Sequence, residues 1–269
     1  TSSLRTRYGS AAPWRALASA LLWVVHPLQT ESVTYIIQRS ESLMGLWYLL
    51  TLYCVARADA SPQAGGRWTA LAILSCALGM GSKAVMATAP VTVWLYDRVF
   101  LAGSFARAVS RRRSLYLGLA ATWIILAVGC VHAGRLPRPA AGFGFKEISP
   151  IAYAMSQPGV ILHYLRLAVW PAPLCFDYAW SVARTAGAIV WPSAAIGWLL
   201  AAVWWAWRRR PAMGFLGAAF FLVLAPTSSL IPIRDLAFEH RMYLPLACVI
   251  IIMVVGGWEA LQRLRMAAS

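Results

Sequence analysis

The stretch His26-Pro27-Leu28-Gln29-Thr30-Glu31, continuing to Gln38-Arg39-Ser40-Glu41, sets a histidine, two carboxylates and an arginine between two apolar runs. Ionisable side chains near bilayer depth are costly and commonly line a pathway or a site. Pro27 ends the preceding run near His26, because its ring restricts its neighbours and removes a backbone donor. If helix resumes beyond it, Glu31, Tyr35 and Gln38 share one face, with Arg39 beside them. Lys83, at the tip of Gly81-Ser82-Lys83, is a compact cation suited to phosphate. Arg234-Asp235 and Glu239-His240-Arg241 precede the last apolar run, placing a base, a switchable imidazole and a forked donor at a helix entrance. Gln157, His163 and Arg166, with Asp177-Tyr178, form a fourth group in which 163 and 166 lie on one helical face. These residue types suit an anionic ligand and an acid–base reaction. Each group also has a plainer reading: a packing salt bridge between Glu31 and Arg39, a snorkelling Lys83, interfacial anchoring at Glu239–Arg241, and a polar helix face around His163.

The elements that must position these residues are membrane-spanning helices. The 269 residues are 60% hydrophobic and 12% charged, with a mean hydropathy of +0.63, whereas soluble domains carry roughly 25% charged residues. The net charge of +15 falls in short clusters between apolar runs, a membrane-topology pattern that points away from nucleic acid. The runs Trp14–Val25, Leu43–Ala56, Trp68–Met80, Ala84–Tyr96, Leu115–His132, Gly187–Trp207, Gly214–Pro226 and Tyr243–Trp258 predict an all-α polytopic bundle of about eight spans. Residues 1–269 then form a single membrane domain, with spans extending into the flanks where the runs are short. Gly81-Ser82-Lys83 reads as a hairpin turn, because the two runs it joins are together too long for one crossing. The five cysteines show no metal-ligand spacing and lie mostly in apolar runs, so they read as small buried hydrophobes. No metal and no cofactor is expected.

Orientation follows from the basic residues. With the N-terminus inside, Arg5, Arg7, Arg15, Arg57, Arg67, Arg107, the triplets Arg111–Arg113 and Arg208–Arg210, and Arg263 and Arg265 all fall on the cytoplasmic side. The two halves of the chain agree only if residues 134–186 form a loop region that begins and ends outside. Ile151–Leu174 is therefore expected to be an outer-face interfacial or re-entrant helix, with Tyr164 and Trp170 as belt residues. The outer side then carries both signs: Arg39, Lys83, Arg135, Arg138, Lys146, Arg166, Arg184, Arg234 and Arg241 beside Glu31, Glu41, Glu147, Asp177, Asp235 and Glu239. Chemistry is expected there. Asp97 and Arg98, at an inner helix end, read as a local ion pair.

A family resemblance is carried by four blocks in order. HPLQTESVTYIIQRSESL resembles the HP-x-[HQ]-x-E-[AS]-V…[GQ]R-[AS]-[DE]-x-L block of the transmembrane and tetratricopeptide-repeat O-mannosyltransferases and their bacterial relatives. Gly81-Ser82-Lys83 with Tyr96-Asp97 is similar to their SK[EP]…YD block. Leu162-His163-Tyr164-Leu165-Arg166, Trp170-Pro171 and Asp177-Tyr178 resemble YLRLL…WP…DY. Pro226-Thr227-Ser228-Ser229-Leu230-Ile231-Pro232 with Glu239-His240-Arg241-Met242-Tyr243-Leu244-Pro245 resembles PTSNLLPI…ER-x-YLP.

The resemblance implies a GT-C membrane glycosyltransferase that moves a sugar from a polyprenyl-phosphate donor to an acceptor, a protein hydroxyl, at the outer or luminal face. The lipid phosphate would leave, so fixed cations should meet its charge, and a carboxylate near the acceptor would take the proton. On that reading Arg39, Lys83, Arg166 and Arg241 contact the donor phosphate. Glu31 and Glu239 act at the sugar or acceptor, and His26, Glu41, His163, Asp177 and His240 support them. The implied setting is a bacterial inner membrane with both ends of the chain cytoplasmic. One departure is expected: the first outer loop, which holds the principal acidic residue of such enzymes, and the C-terminal repeats both fall outside this sequence. A transporter or channel, or a non-catalytic membrane anchor of a repeat protein, is the alternative. Polar residues gathered at span ends, with little charge in mid-span, weigh against a transport pathway.

Overall fold

Prolines and side-chain caps punctuate the chain. The computed structural model describes residues 11–134 and 148–268, and these are helical with no strand among them. Arg5, Arg7, Arg135, Arg138, Lys146 and Glu147 lie outside the described residues. Helix α1 (Ala12–Val25) opens on a first-turn proline and stops at His26, where Pro27 begins a short 3-10 turn. The imidazole Nδ1 of His26 accepts the Leu28 N–H and caps that turn.

The expected single helical face at Glu31, Tyr35 and Gln38 does not form. Helix α2 (Thr30–Thr34) ends where Tyr35 becomes extended (ψ 113°), and a 3-10 turn, Ile36–Gln38, precedes α3 (Arg39–Ala60). The physical reason is local: Val33-Thr34-Tyr35-Ile36-Ile37 is β-branched and aromatic throughout, and such side chains lose rotamer freedom in a helix. The break sends Glu31 toward His240 and Gln38 toward Lys83.

Helix α3 outgrows its apolar run at both ends, with Glu41 in its first turn and Arg57 in its last, where each complements the helix dipole. Its buried residues, Glu41, Met44, Gly45, Tyr48, Thr51, Cys54 and Val55, form one stripe. At Gly45 a Cβ would meet the Tyr243 ring at 2.6 Å, so this glycine admits Tyr243 against the helix. Helix α4 (Gly65–Met80) then turns at Gly81-Ser82, as expected, into a 3-10 segment (Ala84–Thr88) and α5 (Ala89–Tyr96), which a π turn (Asp97–Leu101) extends.

Four helices follow: α6 (Phe105–Arg111), α7 (Arg113–Ala121) and α8 (Trp123–Gly134), which meet at Thr122, then α9 (Pro150–Val169). Ser149 caps α9 and Thr185 caps α10 (Ala186–Arg209). Helix α11 (Pro211–Leu224), a 3-10 turn (Glu239–Met242) and α12 (Pro245–Ala268) complete the chain. The helices occupy the stretches expected to span. Among the described residues three segments, against the eight expected, are long and apolar enough to cross a membrane: Arg113–His132, Ala186–Arg209 and Pro245–Ala267. Large apolar side chains on the outside of the bundle, among them Trp14, Leu22, Trp198, Trp204 and Trp205, are exposed, as a lipid-facing surface requires.

Two apolar cores lie side by side. One packs α3, α4, α5 and α7 around Met44, Tyr48 and Met86; the other packs α9, α11 and α12 around Tyr164, Leu224 and Leu246. Val223 and Leu244 belong to the first, while Leu224 and Met242 belong to the second, so the ends of α11 and α12 form the seam. Several sequence readings change here. Cys130 and Cys175 are exposed and not buried, although Cys54 and Cys76 are. Asp97 pairs with Arg112 and not with Arg98, which lies over the Phe105 and Trp207 rings, because the π turn swings the Asp97 carboxylate inward to zero exposure. Tyr164 is fully buried, with its hydroxyl accepting the Phe238 N–H, whereas Trp170 is exposed as a belt residue would be.

Candidate functional site

The polar residues that sequence reasoning scattered over four segments meet at one end of the bundle. Lys83 Nζ donates to Gln38 Oε1 at 3.0 Å and forms an ion pair with Glu41, which is buried. The Glu31 carboxylate accepts two bonds from one residue: Oε1 lies 2.7 Å from His240 Nδ1 and Oε2 accepts the His240 backbone N–H at 2.9 Å. Both residues are buried. A carboxylate only accepts, so Nδ1 carries a proton and the ring is held in one orientation.

Arg241 is buried with its guanidinium aimed at neutral acceptors. It donates to the Asp235, Leu236 and Thr227 carbonyls at 2.6, 2.9 and 3.2 Å and to the Tyr153 hydroxyl at 3.3 Å. Among the described residues no carboxylate oxygen stands within ion-pair distance of it. Buried charges are ordinarily paired, so a guanidinium held only by neutral acceptors, with the Asp235 and Glu41 carboxylates lining the same chamber, is the unusual feature of this site. A chamber of about 250 Å³ joins these groups; Lys83, Arg241, His240, Gln38, Glu41 and Asp235 are among its lining residues.

Beyond the Glu31–His240 pair lies a second, more open cleft of about 430 Å³. Glu31, Tyr35, Thr30, Cys175, Phe176 and Glu239 line it, and no cationic side chain does. Its far wall is the strap 170–185, which follows α9. Glu239 Oε1 fastens that strap by accepting the Tyr178 hydroxyl at 2.6 Å and the Cys175 N–H at 2.8 Å, while Tyr35 and Phe176 meet edge to face. Burial and the bond to Glu239 both push the Tyr178 hydroxyl well above the usual phenol range.

The remaining candidates stand apart. Arg39 is exposed at the start of α3 and lines neither cavity. Arg166 donates to the Ala172 carbonyl and leans on His163, and both support the strap. Burial first, and Arg166 second, lower the His163 pKa. Asp177 closes a turn by accepting the Ala179 N–H. His26 lies against the Ala168 carbonyl at 3.2 Å, and burial lowers its pKa despite that bond. Tyr153 is a site residue that sequence reasoning missed. It lies one helical turn before Gln157, on the stripe 153, 157, 160, 164 that is buried along α9, and extending that stripe backward would have found it.

Fold and site together define an all-helical integral membrane protein with a buried, charged layer at one end of the bundle. The chain is 28% identical over 183 residues to protein O-mannosyl-transferase Tmtc2 of Drosophila melanogaster. The match covers 62% of this chain and 19% of that protein, so the chain spans about a fifth of the length of this curated relative. It supports a distant relationship to a glycosyltransferase. No family model matches, and no solved structure does.

Proposed function

We propose that this chain is the donor-binding part of a membrane glycosyltransferase, transferring a sugar from a polyprenyl phosphate to a protein hydroxyl at the outer or luminal face. The observation that carries the reading is Arg241: a buried guanidinium without a carboxylate, in one chamber with Lys83. A phosphate there would meet the Lys83 ammonium and the Arg241 guanidinium, and would be stabilised further as it leaves. Glu31 and Glu239 border the adjoining cleft, where the sugar would lie. Arg39 and Arg166 line neither cavity and would act at the lipid headgroup layer. His163 and Asp177 hold the strap.

The same arrangement favours about eight crossings with α9 lying across the outer end. Along its length, α9 bonds to residues of that end: Tyr153 to Thr227, Ser156 to Ala183, Tyr164 to Phe238, Ala168 to His26. A perpendicular helix of this length would reach about 30 Å away. The test is transfer of mannose from polyprenyl-phosphate mannose to a serine- and threonine-containing peptide by the full-length protein in lipid nanodiscs. Transfer that falls by at least tenfold in Lys83→Met supports the reading. Robust wild-type transfer that Lys83→Met leaves unchanged would remove the phosphate site.

A further inference from the structure

His240 has a second ring nitrogen that the fold leaves unused. Nδ1 and the backbone N–H are both spent on Glu31. Nε2 makes no hydrogen bond and is not sealed away as a fully buried polar atom, and His240 is one of the residues that line the chamber. In a neutral imidazole whose Nδ1–H points at a carboxylate, Nε2 holds the lone pair. Glu31 and Glu239 line the adjoining cleft and not this chamber, and each Glu31 oxygen already accepts one bond from His240. Oε1 of Glu239 likewise accepts from Tyr178 and Cys175.

We infer that His240 Nε2 is the proton acceptor of the transfer reaction, and that Glu31 is the residue that positions it. The inference rests on the glycosyl-transfer reading above. The acceptor hydroxyl gives its proton to Nε2 while its oxygen bonds to the anomeric carbon. The bond from that carbon to the phosphate oxygen breaks, its electron pair leaving on the phosphate beside Lys83 and Arg241. The released proton then passes from the imidazolium to solvent, and no oxidant or further reactant is needed. The charged and titratable groups facing His240 are Glu31 from α2, Glu41 from α3, Lys83 from the turn after α4, and Asp235 and Arg241 from its own loop.

Two measurements on the full-length protein in nanodiscs test this. In mannosyl transfer from polyprenyl-phosphate mannose, His240→Gln should lose about 10²–10⁴-fold in kcat with KM for the donor nearly unchanged. Any rise of rate with pH in the wild type should vanish. Glu31→Gln should lower kcat less, again without a KM change. If wild-type transfer is robust and His240→Gln keeps both its rate and its pH profile, the assignment falls while the function stands; if the wild type transfers nothing, both fall. The second readout needs no turnover: diethyl pyrocarbonate should carbethoxylate His240, located by peptide mass spectrometry, and polyprenyl phosphate should slow that reaction. A His240 that stays unmodified in folded protein would show Nε2 to be closed off and overturn the inference.

Discussion

The two polar ends of the bundle handle charge in opposite ways. At one end, Arg112 sits between two carboxylates, Asp59 and Asp97, the latter at 2.5 Å and also holding the Tyr116 hydroxyl. Nearby, Arg210 pairs with Glu259, and Arg98, Arg208 and Arg15 lie over tryptophan rings. These cations are answered within the chain. At the other end, Lys83 pairs with Glu41 beside a chamber, Arg241 is buried with neutral acceptors only, and the second ring nitrogen of His240 makes no hydrogen bond. Direct pairing of the first kind locks helix ends together, whereas a buried cation held only by neutral acceptors asks for a ligand.

Breaking each end should therefore have different consequences. The largest effect is expected from Arg241→Met, which leaves the Asp235 and Leu236 carbonyls without their donor, at about 1–3 kcal/mol for each buried group. Mannosyl transfer should be lost and thermal unfolding should shift strongly downward. Asp97→Asn comes next. It removes one of the two carboxylates of Arg112 at the opposite end and should cost about 1–3 kcal/mol of stability, read by thermal unfolding in nanodiscs, with transfer per folded molecule unchanged. If Asp97→Asn abolished transfer in folded protein, the division between the two ends would collapse.

Acid should loosen the strap end in a graded way. His26 and His163 both have pKa values lowered from the ordinary 6.5, chiefly by burial. The unfolded chain therefore takes up their protons first. Their contribution is fully present above the unfolded value and is lost as pH falls through the folded ones. For His26 the geometry agrees, since protonating Nδ1 would forfeit its bond with Leu28. Melting temperature should fall between about pH 7 and about pH 5, and less so in His163→Phe. The smallest effect is expected from Arg39→Ala, an exposed residue outside both cavities, with transfer within about threefold of wild type and stability within about 0.5 kcal/mol.

Much of this was legible in the sequence, for identifiable reasons. Apolar runs bounded by proline and arginine mark the helices, and the turn at Gly81-Ser82 follows from span length alone. The segments holding Glu31, Lys83, Glu239, His240 and Arg241 stand out because charge is scarce elsewhere. What no spacing reveals is pairing across distance: that Glu31 clasps His240, 209 positions away, or that Glu239 fastens the strap through Tyr178. The break at Tyr35 was readable from its β-branched neighbours, yet helical periodicity concealed it. Tyr153 looked like one more apolar helix residue until the fold set its hydroxyl against Arg241 and the Thr227 carbonyl.

The most direct test of a phosphate site at the chamber end is mannosyl transfer by the full-length protein carrying Glu41→Gln together with Lys83→Met. The pair is removed as a unit, so no buried carboxylate is left unpaired to unfold the helix ends. Transfer per folded molecule should fall by about 10²-fold or more relative to the wild type, with Asp97→Asn alongside as an active reference. Wild-type rates in the double variant would contradict the assignment.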